Sequence, residues 1–493
     1  MSEHGPSQSQ TKVEMRNALF LQLASLELNR QRLCSQINSL SSFNSLLPAE
    51  IKAAIFYKAV QLPCPLYDGD GEGEPSVVTP LFLGKNCRDW RDLVWSSPLL
   101  WSNIHLCVTR RRCNAQANLL RDWLSRTASC PLSVCLTSGE EPGAWVYNSP
   151  EEILDIFISI SERWKQAELY ISDDQLWFDT ISYARNHSLP LLTTATVQFE
   201  SSSDEQRSFY LFSAAPQLSA LHLYQPFFVD VLAPWHQLRE FTSTNSSVDE
   251  VRECLHKASN IICCSLRDIK GIDSSTLNSS ELFYRPLALD RLEYIELRFE
   301  SQITTESALI LGSIKLPSLR EVFLHGSFIF TGAPILPRIT ESFSASSLLE
   351  KFTLSGMLSS DRLLIQVLEN ITSIKELHLK LDNPATHDQL LTSELLQRLC
   401  PPHTNILLPN LQSFTFHGPA SLNDHMPLFR DMLVYRFRQC TSQPRGLPAE
   451  QGAISRLQSV SIRSLRELVI NQDIQDELDI LVQEGLVLSI STL

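Results

Sequence analysis

Apolar residues recur along this chain with different periods, and the change between them divides it. Over residues 12–42, Leu19, Leu26, Leu33 and Leu40 return every seven positions. Leu23 and Ile37 fill the alternate seam positions, and Arg30 interrupts that seam. The spacing predicts an amphipathic, coiled-coil-like helix whose stripe either packs on its own chain or meets a second copy. The polar residues before it, 1–11, are expected to be a disordered tail. Leu46-Leu47-Pro48-Ala49-Glu50-Ile51 then opens a short helix. A proline in a first turn gives up only an N–H that had no partner, and Glu50 suits the positive end of the helix dipole. Ile51, Ile55 and Ala59 form one stripe with Phe56 beside it. Leu83, Cys87, Trp90 and Val94 return to helical spacing with charges on the other face. The segment Ser96-Ser97-Pro98-Leu99-Leu100-Trp101 ends that helix.

From about residue 150 a new pattern takes over. Units of the form L-x-x-L-x-L begin at Trp164, Leu192, Leu218, Leu238, Ile261, Leu292, Leu319, Leu349, Ile374, Leu411 and Leu457. Most steps between them are 20 to 31 residues, and the last two are 37 and 46. Pro190, Pro216, Pro317 and Pro409 each stand two residues before a unit's first apolar position, where a missing N–H costs no ladder bond at a strand entrance. Helical patterns lie between units, as at Glu152 to Ile160 and Asp361 to Glu369. One such unit cannot bury its apolar face alone; stacked neighbours form a continuous core.

Charge and composition narrow the function. The 493 residues carry 41 Lys+Arg against 55 Asp+Glu, a net −14, which disfavours a large phosphate-binding surface and so nucleic acid. Arg110-Arg111-Arg112 is the basic cluster, either a solvated turn or a contact for an acidic partner. No secretory leader and no membrane span is read, so a reducing, cytoplasmic or nuclear location is expected, and the four N-x-S/T sequons are ordinary sequence. The twelve cysteines form no C-x-x-C pair. Asp68 to Glu74 resembles a calcium loop in composition, but Thr79 stands where a bidentate Glu is required. Phosphate-cradling Gly loops, H-E-x-x-H and G-x-S-x-G are absent, so no catalytic residue, metal or cofactor is assigned and the chain is expected not to be an enzyme.

Three blocks carry a resemblance: Leu47-Pro48-x-Glu50-Ile51, then Cys87-Arg88-x-Trp90-Arg91-x-Leu93, then Pro98-x-Leu100-Trp101. In this order they resemble the F-box, and the preceding heptad helix is similar to that of fungal F-box proteins. The match spans residues 44–101, with a spacer, Gln61–Thr79, longer than a compact F-box has. The later units resemble leucine-rich repeats, which F-box proteins often carry. The Asn or Cys usual three positions after the last Leu is replaced by Pro226, Glu300, Ser327, Met357 and Asp382, so an irregular array without a buried Asn ladder is expected.

The resemblance implies an α/β chain: N-terminal helix, three-helix F-box, a linker or capping region over 102–150, and an irregular leucine-rich-repeat-like solenoid over 151–493. It implies a substrate-recognition subunit of an SCF-type cullin-RING ubiquitin ligase. Leu47, Pro48, Ile51, Phe56, Leu83, Cys87, Trp90, Leu93 and Trp101 would meet a Skp-type adaptor, or else pack on the downstream domain. The repeats would hold a target protein through Tyr224, Arg298, His325, Lys380 and His417, with Glu296, Phe323 and His378 in the adjoining row. The alternatives are a repeat scaffold without a ligase role and an undeclared enzyme site in the repeat concavity.

Overall fold

The computed structural model describes residues 8–60, 78–141, 143–145, 149–172, 174–183, 188–200, 207–224, 229–271, 287–300, 305–328, 335–344, 346–358, 361–381, 391–400, 406–418, 422–438, 454–465 and 467–492. The acidic Asp68–Glu74 stretch and most of the long spacer lie outside them, as do Pro226 and Asp382. Two units are distinguished: Met1–Glu140 with Pro150–Gln166, and Glu141–Ser149 with Ala167–Leu493.

The first unit begins with α1, Gln8–Ser39. It starts four residues earlier than its apolar period, so the expected tail of 1–11 is partly helix; helix formation needs no apolar seam once a turn is nucleated. A short helix α2, Ser42–Leu46, leads to α3, Ala49–Val60. Pro48 precedes α3 and its carbonyl accepts the first helical bond, from Lys52 at 3.1 Å. Thr79 caps α4, Pro80–Gly84, by accepting the Phe82 N–H at 3.1 Å. Helix α5, Arg88–Trp95, is closed by side chains that take up its last carbonyls. Ser97 Oγ donates to Leu93 at 2.6 Å and the Trp101 indole N–H donates to Val94 at 2.9 Å. The 3₁₀ turn Pro98–Trp101 thereby ties Trp101 under α5.

The stretch 102–150 is more than a linker. It holds β1, Asn103–Val108, the helix α6, Cys113–Arg126, and β2, Leu132–Ser138. β1 and β2 pair in parallel from Asn103↔Ser133 to Val108↔Ser138. The alternation Ile104, Leu106, Val108 is buried, which is why a strand forms there. Helix α7, Glu151–Ser159, follows, and β3, Trp164–Ile171, runs through the boundary between the units.

The second unit is built on a parallel sheet whose order is the chain order, β3-β4-β6-β8-β9-β11-β13-β14-β15-β16-β17-β18. These strands are β4 Thr194–Phe199, β6 Ala220–Tyr224, β8 Glu240–Thr244, β9 Cys263–Ile269, β11 Tyr294–Phe299, β13 Glu321–Phe328, β14 Lys351–Leu358, β15 Glu376–Leu381, β16 Ser413–Gly418, β17 Ser459–Ser464 and β18 Val487–Thr492. Two short pairs, β5 (Arg207–Phe209) with β7 (Val229–Val231) and β10 (Leu287–Ala288) with β12 (Ile314–Lys315), form separate two-stranded sheets. Helices connect many neighbours, among them the helix Val248–Lys257, with a full capping box from Ser247 and Glu250, and the helix Asp361–Asn370.

Each unit-leading residue named from the sequence is buried, from Trp164 and Leu192 at 0% exposed to Leu411 at 1%. From Leu192 onward each stands two residues before its strand. The four prolines do not sit in the strands. Each is the second residue of a tight turn closed by the leading residue's own N–H: Leu189–Leu192, Ala215–Leu218, Leu316–Leu319 and Leu408–Leu411. Proline's fixed φ suits that turn position. At the strand entrances one carbonyl accepts two successive N–H groups from the next unit. Ser219 takes Arg239 and Glu240, Glu293 takes Arg320 and Glu321, and Glu350 takes Lys375 and Glu376. This repeated backbone ladder joins neighbouring units where no Asn does. Beyond the last Leu, β13 and β14 continue to Phe328 and Leu358, and Gly356, at φ +102°, lies so close to Gly326 that a Cβ would strike its carbonyl oxygen.

Candidate docking sites

The first unit's helical region has its own aromatic core. Phe56, Val60, Leu83, Val94, Leu100 and Trp101 are buried together, with Phe43, Trp90 and Leu93 packed against them. Trp90 lies between two phenylalanine rings, 4.7 Å from Phe56 and 5.3 Å from Phe43 by centroids. Trp101 is 0% exposed and sits edge-on to Trp95 and Trp123 at 5.3 and 4.8 Å, with the Arg126 guanidinium 4.9 Å from its ring.

The nine residues expected to meet an adaptor therefore separate. Phe56, Leu83 and Trp101 lie inside, so they shape the surface without offering any of their own. Leu47, Cys87, Trp90 and Leu93 are half-buried, and Pro48 and Ile51 are exposed. Large apolar side chains that the motif did not single out are also outside: Leu46 at 75%, Ile55 at 44%, Phe82 at 58% and Leu99 at 47% exposed, beside Ile51 at 48%. Ile51 and Ile55 are one turn apart on α3, so they share a face. Their stripe was visible in the sequence; its exposure was not. Helix α1 keeps its heptad residues in solvent as well, with Leu19, Leu26 and Leu33 at 58, 66 and 59% exposed. Packing on its own chain is not what covers them.

In the second unit the strand period of two sorts the sheet into rows. Leu221, Phe241, Cys264, Ile295, Val322, Phe352, Leu377, Phe414 and Val460 are paired neighbours and buried. Their polar neighbours face the other way. Arg298, His325, Ser355, Lys380 and His417 are aligned partner to partner across β11 to β16, and the row continues to Arg463, which sequence reasoning missed. Tyr224 pairs with Thr244 and Thr244 with Arg267 at the same level on the earlier strands. Between Arg267 and Arg298 the register slips, at a bulge where Asp268 has φ +51°.

The adjoining row holds Ser265, Glu296, Phe323, Thr353 and His378. Glu296 is 4% exposed and accepts from Ser265 Oγ and Arg298 Nε, with Arg267 Nη2 at 3.4 Å. Burial pushes its carboxyl up, but the Ser265 and Arg298 hydrogen bonds and the two guanidinium charges outweigh that and hold it below the usual range. Burial, then the Lys351 charge, depresses the His378 imidazole.

No family model and no curated protein matches the chain. Among the described residues no group of three or more His, Cys, Asp or Glu is placed to hold a metal ion, and no helix is long and apolar enough to cross a membrane. Two surface features stand out among the described residues: exposed apolar side chains on the helical unit, among them Ile51, Ile55 and Phe82, and a polar, arginine-bearing face on the sheet.

Proposed function

We propose that the chain is the substrate-recognition subunit of an SCF-type cullin-RING ubiquitin ligase, with residues 44–101 as an F-box that binds a Skp-type adaptor and the sheet unit as an irregular leucine-rich-repeat-like solenoid that holds a target protein. The observation that carries this is the apolar surface left on a helical unit whose core is already filled. Ile51, Ile55 and Phe82 stay exposed although Trp101, Phe56 and Leu83 close the interior beneath. A folded unit keeps such surface for a partner. The ladder of identical strand entrances supports a repeat array, and its polar rows suit protein recognition. The role needs no chemistry from the receptor itself: holding a target near the conjugating enzyme raises effective concentration.

The test is co-purification with a fungal Skp-type adaptor. Wild-type chain captures it; Leu47→Ala/Pro48→Ala, folded by circular dichroism, does not. Equal capture by that variant overturns the proposal. The scaffold reading without a ligase role draws on the burial of Phe56, Leu83 and Trp101 within the chain, since a cap hides its aromatics in this way. It predicts no adaptor in either preparation.

Helix α1 extends the reading to self-association. Its exposed seam, from Leu19 to Leu40, offers two copies roughly 1,500 Å² of contact, the size of a stable interface. Arg30, which breaks the seam, is already paired with Glu27 on its own helix at 2.7 Å, so its charge enters an interface compensated. Sedimentation showing a dimer that Leu26→Asn/Leu33→Asn converts to monomer fits this; a monomeric wild type refutes it.

A further inference from the structure

One row of the sheet's open face carries basic side chains and no acidic one. From β9 to β17 it presents Arg267, Arg298, His325, Ser355, Lys380, His417 and Arg463, with no carboxylate among them. Four residues earlier, at the entrances of β13 and β15, stand Glu321 and Glu376, with Lys351 between them on β14 held by Glu321 at 2.6 Å, and Glu240 lies at the same level on β8. The face is thus polarised across the strands, in a chain whose net charge is −14. His325, Lys380, His417 and Arg463 have no carboxylate partner among the described residues.

The two arginines are the built part of the row. Glu296, buried beneath them, receives Arg298 through Nε and Arg267 through Nη2, which fixes both guanidinium groups. Arg298 also lies with its Cζ 4.9 Å from the centroid of Phe323, on the next strand. Arg267 immediately precedes the β9 bulge at Asp268 and reaches the same buried carboxylate at 3.4 Å. A buried anion that orients two half-exposed cations leaves one uncompensated positive charge above it. The side chains of Arg267 and Arg298 remain 38% and 42% exposed, within reach of a ligand.

We propose that this row binds an extended, Asp/Glu-rich peptide segment of the target, with one carboxylate seated on the Arg267–Arg298 pair and others on Lys380 and Arg463. This rests on the reading of the sheet as the target-binding face. Planar guanidinium forks match a carboxylate in shape, and a single net charge at the pair matches a monoanion better than a phosphate dianion. Six strand steps of about 4.8 Å span roughly 29 Å, the length of about nine extended residues. The carboxylates of Glu321 and Glu376 flanking the row disfavour a polyphosphate chain such as RNA, which could not turn its charge to one side as an alternating peptide can.

The test is fluorescence anisotropy with nine-residue fluorescein-labelled peptides on the full-length chain. One alternates Glu with Ser, one replaces each Glu by phosphoserine and one by Lys. The Glu peptide is expected to bind, the Lys peptide not to. Arg267→Gln/Arg298→Gln should weaken the Glu peptide at least tenfold, and Lys380→Gln/Arg463→Gln about threefold. Absence of Glu-peptide binding, unchanged affinity in the arginine variant with an intact fold, or phosphopeptide binding more than tenfold tighter than the Glu peptide would each overturn it. Oligo(U) RNA binding that the arginine variant abolishes would overturn it too. Adaptor capture, read on the same preparations, separates the outcomes: lost peptide binding with retained capture sinks the acidic-segment proposal alone.

Discussion

The α3 face gives the sharpest measurement. Ile51 and Ile55 are 48% and 44% exposed and lie one helical turn apart. A fully free isoleucine side chain offers about 180 Å², so each retains about 80 Å² for a partner to cover; at roughly 25 cal/mol per Å² the pair is worth about 4 kcal/mol. Alanine keeps the first carbon, which leaves about 2–3 kcal/mol to lose, a roughly 30- to 150-fold drop in affinity. Folding should be nearly untouched: the side chains are outside the core, and alanine is the better helix former. Isothermal titration of Ile51→Ala/Ile55→Ala against a fungal Skp-type adaptor reads the effect, with urea unfolding as the control. A dissociation constant within threefold of wild type, at unchanged urea midpoint, would refute the assignment of this face.

Other substitutions probe the interior. Trp101→Ala should cost about 4 kcal/mol, since it empties a fully buried site and orphans the Val94 carbonyl; urea unfolding of the first unit checks it. Arg436, 0% exposed, donates to the carbonyls of Leu399, Leu407 and Leu408 at 2.6, 2.6 and 2.9 Å, so Arg436→Met should lose about 3–5 kcal/mol, and Arg436→Lys, lacking the fork, should not restore it. Burial pushes Asp361 up to about 6 against the Leu391 and Thr392 N–H groups that favour its charge. The folded chain therefore holds a proton that the unfolded one has released between about pH 4 and 6, and stability falls by about 3 kcal/mol as pH rises through that window. Asp361→Asn should remove this decline from the pH dependence of the urea midpoint; the same slope in the variant would refute it.

Periodicity located the strands because each unit must bury its leading residue, and Leu218, Leu292 or Leu457 could do so only at the turn before a strand. The prolines marked those turns, though their role is to close a bend, not to begin an extended segment. β1 escaped because Trp101, which stands two residues before it, was assigned to the turn that ends the helical region, and β2 because Cys130, not a large apolar residue, holds the leading place before it. β18 escaped because its leading residue, buried Leu486, follows Gly485 at φ +105°. A helical stripe reads the same whether its partner is the chain or another molecule, so Trp101 and Ile51 looked alike in sequence and lie on opposite sides of the surface. Arg436 carried no signal, and Glu296 was placed beside the polar row but not recognised as buried, since a charged residue in an apolar stretch gives no sign of the carbonyls or guanidiniums that make its burial tolerable.

The two docking faces differ in the force each would use, and salt separates them. The helical unit buries Phe56 and Trp101 and shows Ile51, Ile55 and Phe82, so capture there depends on apolar area, which ions screen little. The sheet hides its aliphatics and shows a row of cations, so capture there depends on charges in half-exposed positions. At 0.5 M salt the Debye length falls to roughly 4 Å, shorter than the spacing between neighbouring strands. Adaptor affinity should then change less than about threefold, while the acidic peptide should lose most of its binding. If both fall together, the aliphatic patch is not what holds the adaptor; if neither falls, the arginine row is not what holds the peptide.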